Sequence, residues 1–313
     1  MKIGLLFPGQ GTQTIGMGKD LYEKYDEIKE IYERVKEISG IDIAKISFEG
    51  PEELLNETKN TQLAVLTESL AIMQVLKKNN IKAVCSAGLS LGEYTALIED
   101  EIIDFESGIK LVQTRGEIMQ NYLPNGSWKM AAIIGIDENT IEDICEKVNS
   151  GFVKVANFNT IGQIVVAGEE NAVMEAGDLA KEAGARKVVT LNTAGPFHTE
   201  KMKDCGEAFR KELDKFKFNN KDSKIIKNLD GSNYKENDDI KEILSKHIMS
   251  PVKFTECLNK MYENGVDTFI EVGPGKTLSG FVKRMKFERP VKILNTENAE
   301  SLISVLEEVI NNE

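Results

Sequence analysis

Five residues constrain this chain most: Gly88-Leu89-Ser90-Leu91-Gly92. The pentapeptide fits G-x-S-x-G. It follows a short apolar run, Ile81 to Ser86, and precedes a helical stretch that begins at Leu91. A serine on a sharp strand-to-helix turn needs glycines that permit the turn and keep the space around the hydroxyl open. The start of the helix then directs backbone N–H groups toward a developing oxyanion.

The rest of the chain supplies the α/β setting. Lys2 to Phe7 reads as a buried strand that runs into the turn Pro8-Gly9-Gln10-Gly11. Helices are expected over Lys19 to Ser39, over Thr61 to Lys77 and over Phe105 to Tyr122. The second of these carries Leu63, Leu66, Leu70, Met73 and Leu76 on one stripe. From Gly126 the order changes to strand (Lys129–Gly135), helix (Glu138–Val148), strands (Phe152–Phe158, Gln163–Ala167), helix (Asn171–Ala183) and strand (Arg186–Leu191). That βαββαβ order suits a small ferredoxin-like unit. The αβ pattern then resumes, with a strand at Thr268–Val272 and a closing helix at Glu297–Asn311. The expected architecture is a large α/β-hydrolase-like domain with a parallel sheet, residues 1–125 and 195–313, holding an inserted ferredoxin-like domain, residues 126–194. The polar stretch Asn219–Asp239 reads mostly as exposed loop.

Composition narrows the function. Of 313 residues, 41% are hydrophobic and 29% charged, and the net charge is −12. That acidity argues against nucleic-acid and membrane-surface binding, which need a basic face. No apolar run approaches the ~18–20 residues that span a bilayer, and Met1 to Phe7 is too short for a signal peptide. A cytoplasmic protein is expected. The four cysteines, Cys85, Cys145, Cys205 and Cys257, lie far apart and without metal-ligand spacing, so free thiols are expected. Two histidines are too few for a multi-histidine zinc site.

A serine needs a base to act as a nucleophile at neutral pH. The choice is His198 or His247. His198 lies in Gly195-Pro196-Phe197-His198-Thr199, where the chain returns from the small unit to the large one, a position that lines a cleft. It is the preferred base. His247 lies near a helix end, and no Asp or Glu has the context of a triad acid. Arg115 sits mid-helix among Leu111, Val112, Ile118 and Met119, so it projects from a buried stripe. A buried guanidinium needs an anion, either an internal Asp or Glu or a substrate carboxylate beside Ser90. Two other glycine-rich turns are incomplete nucleotide motifs. Gly9-Gln10-Gly11 meets Thr14 where a third glycine belongs, and Gly275-Lys276-Thr277 has Ile270 at the first glycine position. Lys283, Arg284, Lys286 and Arg289 form a basic cluster in an acidic chain, either a solvated face or a site for an acidic partner.

Together these residues resemble the malonyl-CoA:acyl carrier protein transacylase family, nearly end to end. The matching segments are Phe7-Pro-Gly-Gln-Gly-Thr-Gln13, Asn60-Thr-Gln62, Gly88-Leu-Ser-Leu-Gly-Glu93, Gln113-Thr-Arg-Gly116, Met130-Ala-Ala132, Asn157-Phe-Asn159 with Gly162-Gln163, Pro196-Phe-His198, Ser250-Pro-Val252 and Glu271-Val-Gly-Pro-Gly-Lys276. The resemblance implies Ser90 as nucleophile, His198 as base, the backbone N–H groups of Gln10 and Leu91 as oxyanion hole, and Arg115 as ligand of the malonyl carboxylate. It implies His247, Asn159 and Phe197 as orienting or cleft-lining residues, and no metal or other cofactor. In the family the histidine is oriented by a backbone carbonyl, usually of a glutamine. The matching residue here is His247, and Leu89 stands where the family usually has histidine. Phe197 resembles members that prefer malonyl over α-branched units.

The implied reaction is ping-pong transfer of malonyl from CoA to the carrier's phosphopantetheine thiol, for fatty acid biosynthesis. Its rivals are a discrete acyltransferase of a polyketide synthase, a serine thioesterase and a non-catalytic scaffold. Malonyl-CoA and acyl carrier protein are the implied partners. Carrier proteins of this pathway are acidic, so docking on Lys187, Lys283, Arg284 and Lys286 is expected.

Overall fold

Two five-stranded sheets organise the chain, which is described here from a computed structural model covering residues 1–193 and 195–311. The expected domain boundary at Ala194 and the last residues, Asn312 and Glu313, lie outside the described residues.

The first sheet contains β1 (Ile3–Phe7), β2 (Cys85–Gly88), β7 (Ile225–Ile226), β9 (Thr268–Glu271) and β10 (Lys292–Asn295). Its order is β10-β9-β1-β2-β7, and every pair is parallel. Strands of a parallel sheet are covered on both faces and read as continuous apolar runs. β1, Ile-Gly-Leu-Leu-Phe, does so and is buried along its whole length. Ligand sites of such sheets lie beyond the carboxyl ends of the strands. Phe7 pairs with Gly88, which brings the turn after β1 beside the turn after β2.

The second sheet contains β3 (Trp128–Ile134), β4 (Val153–Thr160), β5 (Gln163–Glu169), β6 (Lys187–Leu191) and β8 (Val252–Lys253). The order β6-β3-β5-β4 is antiparallel throughout, with helices Glu138–Lys147 and Glu170–Glu182 crossing between strands. This is the expected ferredoxin-like βαββαβ arrangement. Its fifth strand was not expected. β8 comes from the later chain and pairs parallel with β4, Asn157 with Val252 and Phe158 with Lys253. Thr255 Oγ1 donates to the Phe158 carbonyl at 3.2 Å, and Thr160 Oγ1 donates to the Phe281 carbonyl at 2.9 Å. The C-terminal half of β4 is thus cross-linked to the later chain.

Three expectations need correction. The helix expected over Lys19–Ser39 is two helices, Lys19–Lys24 and Asp26–Ser39, because Tyr25 adopts an extended conformation. The helix expected over Thr61–Lys77 runs from Thr58 to Lys78, and it is buried on every face from Asn60 to Met73 rather than along one stripe. Its polar residues Asn60, Gln62 and Glu68 therefore sit inside the protein. The stretch 219–239 is not mostly exposed. It contains β7, and Lys227, Asn228 and Tyr234 are buried. The four cysteines are unpaired and buried.

Candidate active site

The turn from β2 into the helix Gly92–Glu99 places Ser90 in the left-handed region, at φ 50°. A non-glycine residue there costs about 1–3 kcal/mol and persists only where its surroundings hold it. The flanking glycines are required by space. A Cβ on Gly88 would overlap the Gly92 carbonyl carbon, and one on Gly92 would overlap the Phe7 carbonyl. His198 is also left-handed, at φ 61°, and its N–H donates to the Ile248 carbonyl at 3.1 Å.

Ser90 Oγ lies 2.8 Å from His198 Nε2. His198 Nδ1 lies 2.8 Å from the His247 carbonyl oxygen. A carbonyl only accepts, so Nδ1 carries the proton and Nε2 accepts from the serine hydroxyl. Burial, reinforced by the Arg115 charge, pushes the imidazole down to about 4, against the opposing pull of the His247 and Ser250 backbone. The ring is therefore neutral at physiological pH, with the Nε2 lone pair free to accept a proton. Among the described residues no carboxylate orients it.

Arg115 projects from the helix Phe105–Asn121 and is 1% exposed. Its Nη1 donates to Gln62 Oε1 at 2.6 Å and its Nη2 to Ser90 Oγ at 3.1 Å. Nε has no hydrogen-bond partner among the described residues. The Tyr94 ring lies 5.0 Å from the guanidinium carbon. Of the two partners open to Arg115 from its sequence, an internal Asp or Glu does not bond it among the described residues: its hydrogen bonds go to the neutral groups of Gln62 and Ser90. Among the described residues no carboxylate forms an ion pair with this guanidinium, which stands beside the serine.

These groups face a cavity of about 400 Å³ between the two sheets. Gln10, Leu91, Asn159 and Phe197 line it with Ser90, Arg115 and His198. The Asn159 Oδ1 is buried and without a hydrogen-bond partner among the described residues, so a polar donor can be received there. His247 does not line the cavity. Its ring lies behind His198, centroids 5.1 Å apart, and is held neutral by burial. Glu93 Oε2 is 3.5 Å from its Nδ1. Burial pushes Glu93 up to about 7, though Tyr234 OH donates to Oε1 at 2.5 Å and the Asn228 N–H to Oε2 at 3.2 Å. Cys85, the nearest thiol to the serine in sequence, is buried and pushed up to about 12, which leaves it no nucleophilic thiolate.

An acyl transferase domain model matches residues 5–301. The chain is 40% identical over 310 residues to a malonyl CoA-acyl carrier protein transacylase of Bacillus subtilis, covering 98% of each. It belongs to this transacylase family, and it is an acyltransferase. Among solved structures, the malonyl CoA-acyl carrier protein transacylase of Clostridium perfringens superposes with a TM-score of 0.93 at 41% identity, covering 100% of this chain and 98% of that one. A type II PKS acyl-carrier protein in complex with its malonyl-transacylase gives a TM-score of 0.93 at 34% identity, covering 98% and 100%.

Two contributors have roles that the local sequence pattern does not show: Gln62, although it lies in a matching segment, and Asn228. Gln62 lies in a helix that reads as amphipathic, but full burial turns it toward Arg115. Asn228 lies in a stretch that reads as loop, yet its Oδ1 accepts from the Ser90 N–H at 2.7 Å. His247 packs beside His198, ring centroids 5.1 Å apart. Its contact with His198 Nδ1 is made by backbone. Replacing His247 with Gln is expected to leave acylation within about tenfold of wild type, or about 1.4 kcal/mol of barrier. Pre-steady-state rates would check this. A loss as large as that of His198→Ala would assign the side chain a direct role.

Proposed function

We propose that this chain transfers malonyl from malonyl-CoA to the phosphopantetheine thiol of acyl carrier protein through a malonyl ester on Ser90. It would supply malonyl-carrier protein for fatty acid biosynthesis in the cytoplasm. The observation that carries the reading is Arg115. A buried guanidinium that no carboxylate among the described residues pairs with lies 3.1 Å from the hydroxyl that His198 activates. In a malonyl ester the free carboxylate is separated from the ester carbonyl by one methylene, so it is formed within reach of that charge. A bidentate, charge-assisted pair with the guanidinium then follows.

His198 Nε2 takes the Ser90 proton as Oγ attacks the thioester carbon. The oxyanion is received by the backbone N–H groups of Gln10 and Leu91, two cavity-lining residues brought together by the pairing of β1 with β2. Losing one such donor costs ~3–4 kcal/mol in comparable acyl-transfer sites. The proton passes from Nε2 to the departing CoA thiolate. In the second half-reaction Nε2 deprotonates the carrier thiol, which attacks the ester, and Ser90 recovers its proton. All groups required come from side chains and backbone, without a metal or redox cofactor. Phe197, 5% exposed on the cavity wall, would crowd an α-methyl group.

The test is incubation with malonyl-CoA, with and without carrier protein, followed by intact-mass and peptide analysis. The expected products are a malonyl adduct on the Ser90 peptide and, with the carrier present, malonyl-carrier protein. Free malonate as the main product in both cases would replace the transferase reading with a thioesterase.

Docking of an acidic carrier on a chain of net charge −12 needs a local basic surface. Lys187, Lys283, Arg284 and Lys286 are exposed. Arg284 hydrogen-bonds Gln163 of the cavity wall, and Gln163, Ile134 and Lys187 form one cross-strand row. Lys187 and Arg284 thus lie at the end of the second sheet that carries Gln163, and Lys283 and Lys286 neighbour Arg284 in the chain. Charge reversal at Lys283 and Lys286 is expected to raise the KM for carrier protein by about tenfold or more. Self-acylation by malonyl-CoA would be nearly unchanged. Equal loss in both half-reactions would move the patch's role to CoA phosphates or to folding.

A further inference from the structure

Asn228 follows β7 and is fully buried, with all of its hydrogen-bonding groups engaged. Its side-chain Oδ1 accepts from the Ser90 N–H at 2.7 Å, and its Nδ2 donates to the Gly88 carbonyl at 2.7 Å. Its backbone N–H donates to Glu93 Oε2 at 3.2 Å, and its carbonyl accepts from the Lys253 N–H at 2.8 Å. One planar amide therefore grips the elbow on both sides of Leu89. The backbone of the same residue is fixed by the helix that follows the elbow and by β8.

The turn offers three successive amides to an anion: Ser90, Leu91 and Gly92. The Gly92 N–H donates to the Leu89 carbonyl at 2.9 Å. The Ser90 N–H is taken by Asn228. Leu91, which lines the cavity, is the one whose amide is committed to neither bond. Without Asn228, the Ser90 N–H and the Gly88 carbonyl would both lose their partners, and the left-handed serine would lose its tether.

We infer that Asn228 is a positioning residue for the reaction: it holds the Ser90 amide so that Oγ stays on His198 and the Leu91 amide remains open for the oxyanion. This inference rests on the proposed acylation of Ser90. Only an amide does the whole task, because a donor and an acceptor must be presented from the same plane to a carbonyl and an N–H two residues apart.

The test uses the full chain and rapid-quench intact-mass measurement of malonyl-Ser90 formation over a range of malonyl-CoA concentrations. Asn228→Ala is expected to lower the limiting acylation rate about 100-fold, as small misplacements of a reacting group do. The half-saturating malonyl-CoA concentration should hardly move. Leu258→Ala, a core truncation in the helix Phe254–Glu263 away from the cavity, is the stability control. It should lower the unfolding temperature and, while folded, acylate at the wild-type rate. If Asn228→Ala does not fold, Asn228→Asp replaces it. That variant keeps an acceptor for Ser90 but sets oxygen against the Gly88 carbonyl, and a smaller loss in the limiting rate is expected. The role is overturned if the folded Asn228 variant acylates within about threefold of wild type. It is overturned equally if the loss lies in half-saturation alone, or if Leu258→Ala loses as much. No adduct on Ser90 in wild type would instead overturn the acylation reading beneath it.

Discussion

Replacing Arg115 with Ala is expected to collapse the preference for malonyl-CoA over acetyl-CoA. The guanidinium is buried against Tyr94 and bonded to the neutral oxygens of Gln62 and Ser90. Bound malonate would give that charge a carboxylate; bound acetate would leave it desolvated. A site built around a buried polar group rejects an analogue lacking the partner by as much as ~10⁴-fold in well-formed cases. Malonyl transfer should therefore fall steeply in Arg115→Ala, and acetyl transfer should fall far less or rise. Arg115→Lys should restore malonyl transfer only in part, since an ammonium cannot present a planar fork to both oxygens. The measurement is kcat/KM for both donors in the three proteins. An unchanged malonyl-to-acetyl ratio in Arg115→Ala would reduce Arg115 to a structural group.

His198→Ala is expected to slow acylation by ~10²–10⁴-fold. Ser90 Oγ would keep only its contact with Arg115, which donates and cannot accept a proton. The wild-type pH profile carries the same information. Burial lowers His198 to about 4, so the base stays unprotonated as pH falls through neutrality. Acylation should be flat down to about pH 5 and decline only as pH approaches the imidazole's folded-state value. A midpoint near the ordinary imidazole value of about 6.5 would show that the ring is not desolvated as described.

Local chemistry made some of this legible. The elbow announced itself because its glycines, serine and flanking apolar runs are contiguous. Only two histidines exist, and the return of the chain from the small unit to the large one favoured His198 over His247. The four small-domain strands carried clear patterns. Other features depend on contacts between distant parts of the chain. Asn228 meets Ser90 across 138 positions, so a polar neighbourhood disguised a buried residue. Gln62 and Glu68 sit on a helix whose leucine stripe suggested one wet face, whereas neighbouring elements enclose it on all sides. β8 is only Val252–Lys253, too short to show a period. Tyr25, which divides two helices, is flanked by helix-compatible residues and gives no local stop signal.

The seam between β4 and β8 bears on how relatives of this enzyme can be recombined. The four antiparallel strands look like a cassette, entered and left at two points and ready for exchange to alter donor choice. Val252, Lys253, Thr255 and Phe281 make that cassette incomplete, because they bond to β4 from outside it. A chimera that transplants only β3 to β6 would present a foreign strand edge to a resident partner. Lys253 would be the point of mismatch, and its N–H also holds Asn228. Compatible exchange therefore has to carry the Ser250–Phe281 region along, so that specificity and the serine's support travel as one inherited unit.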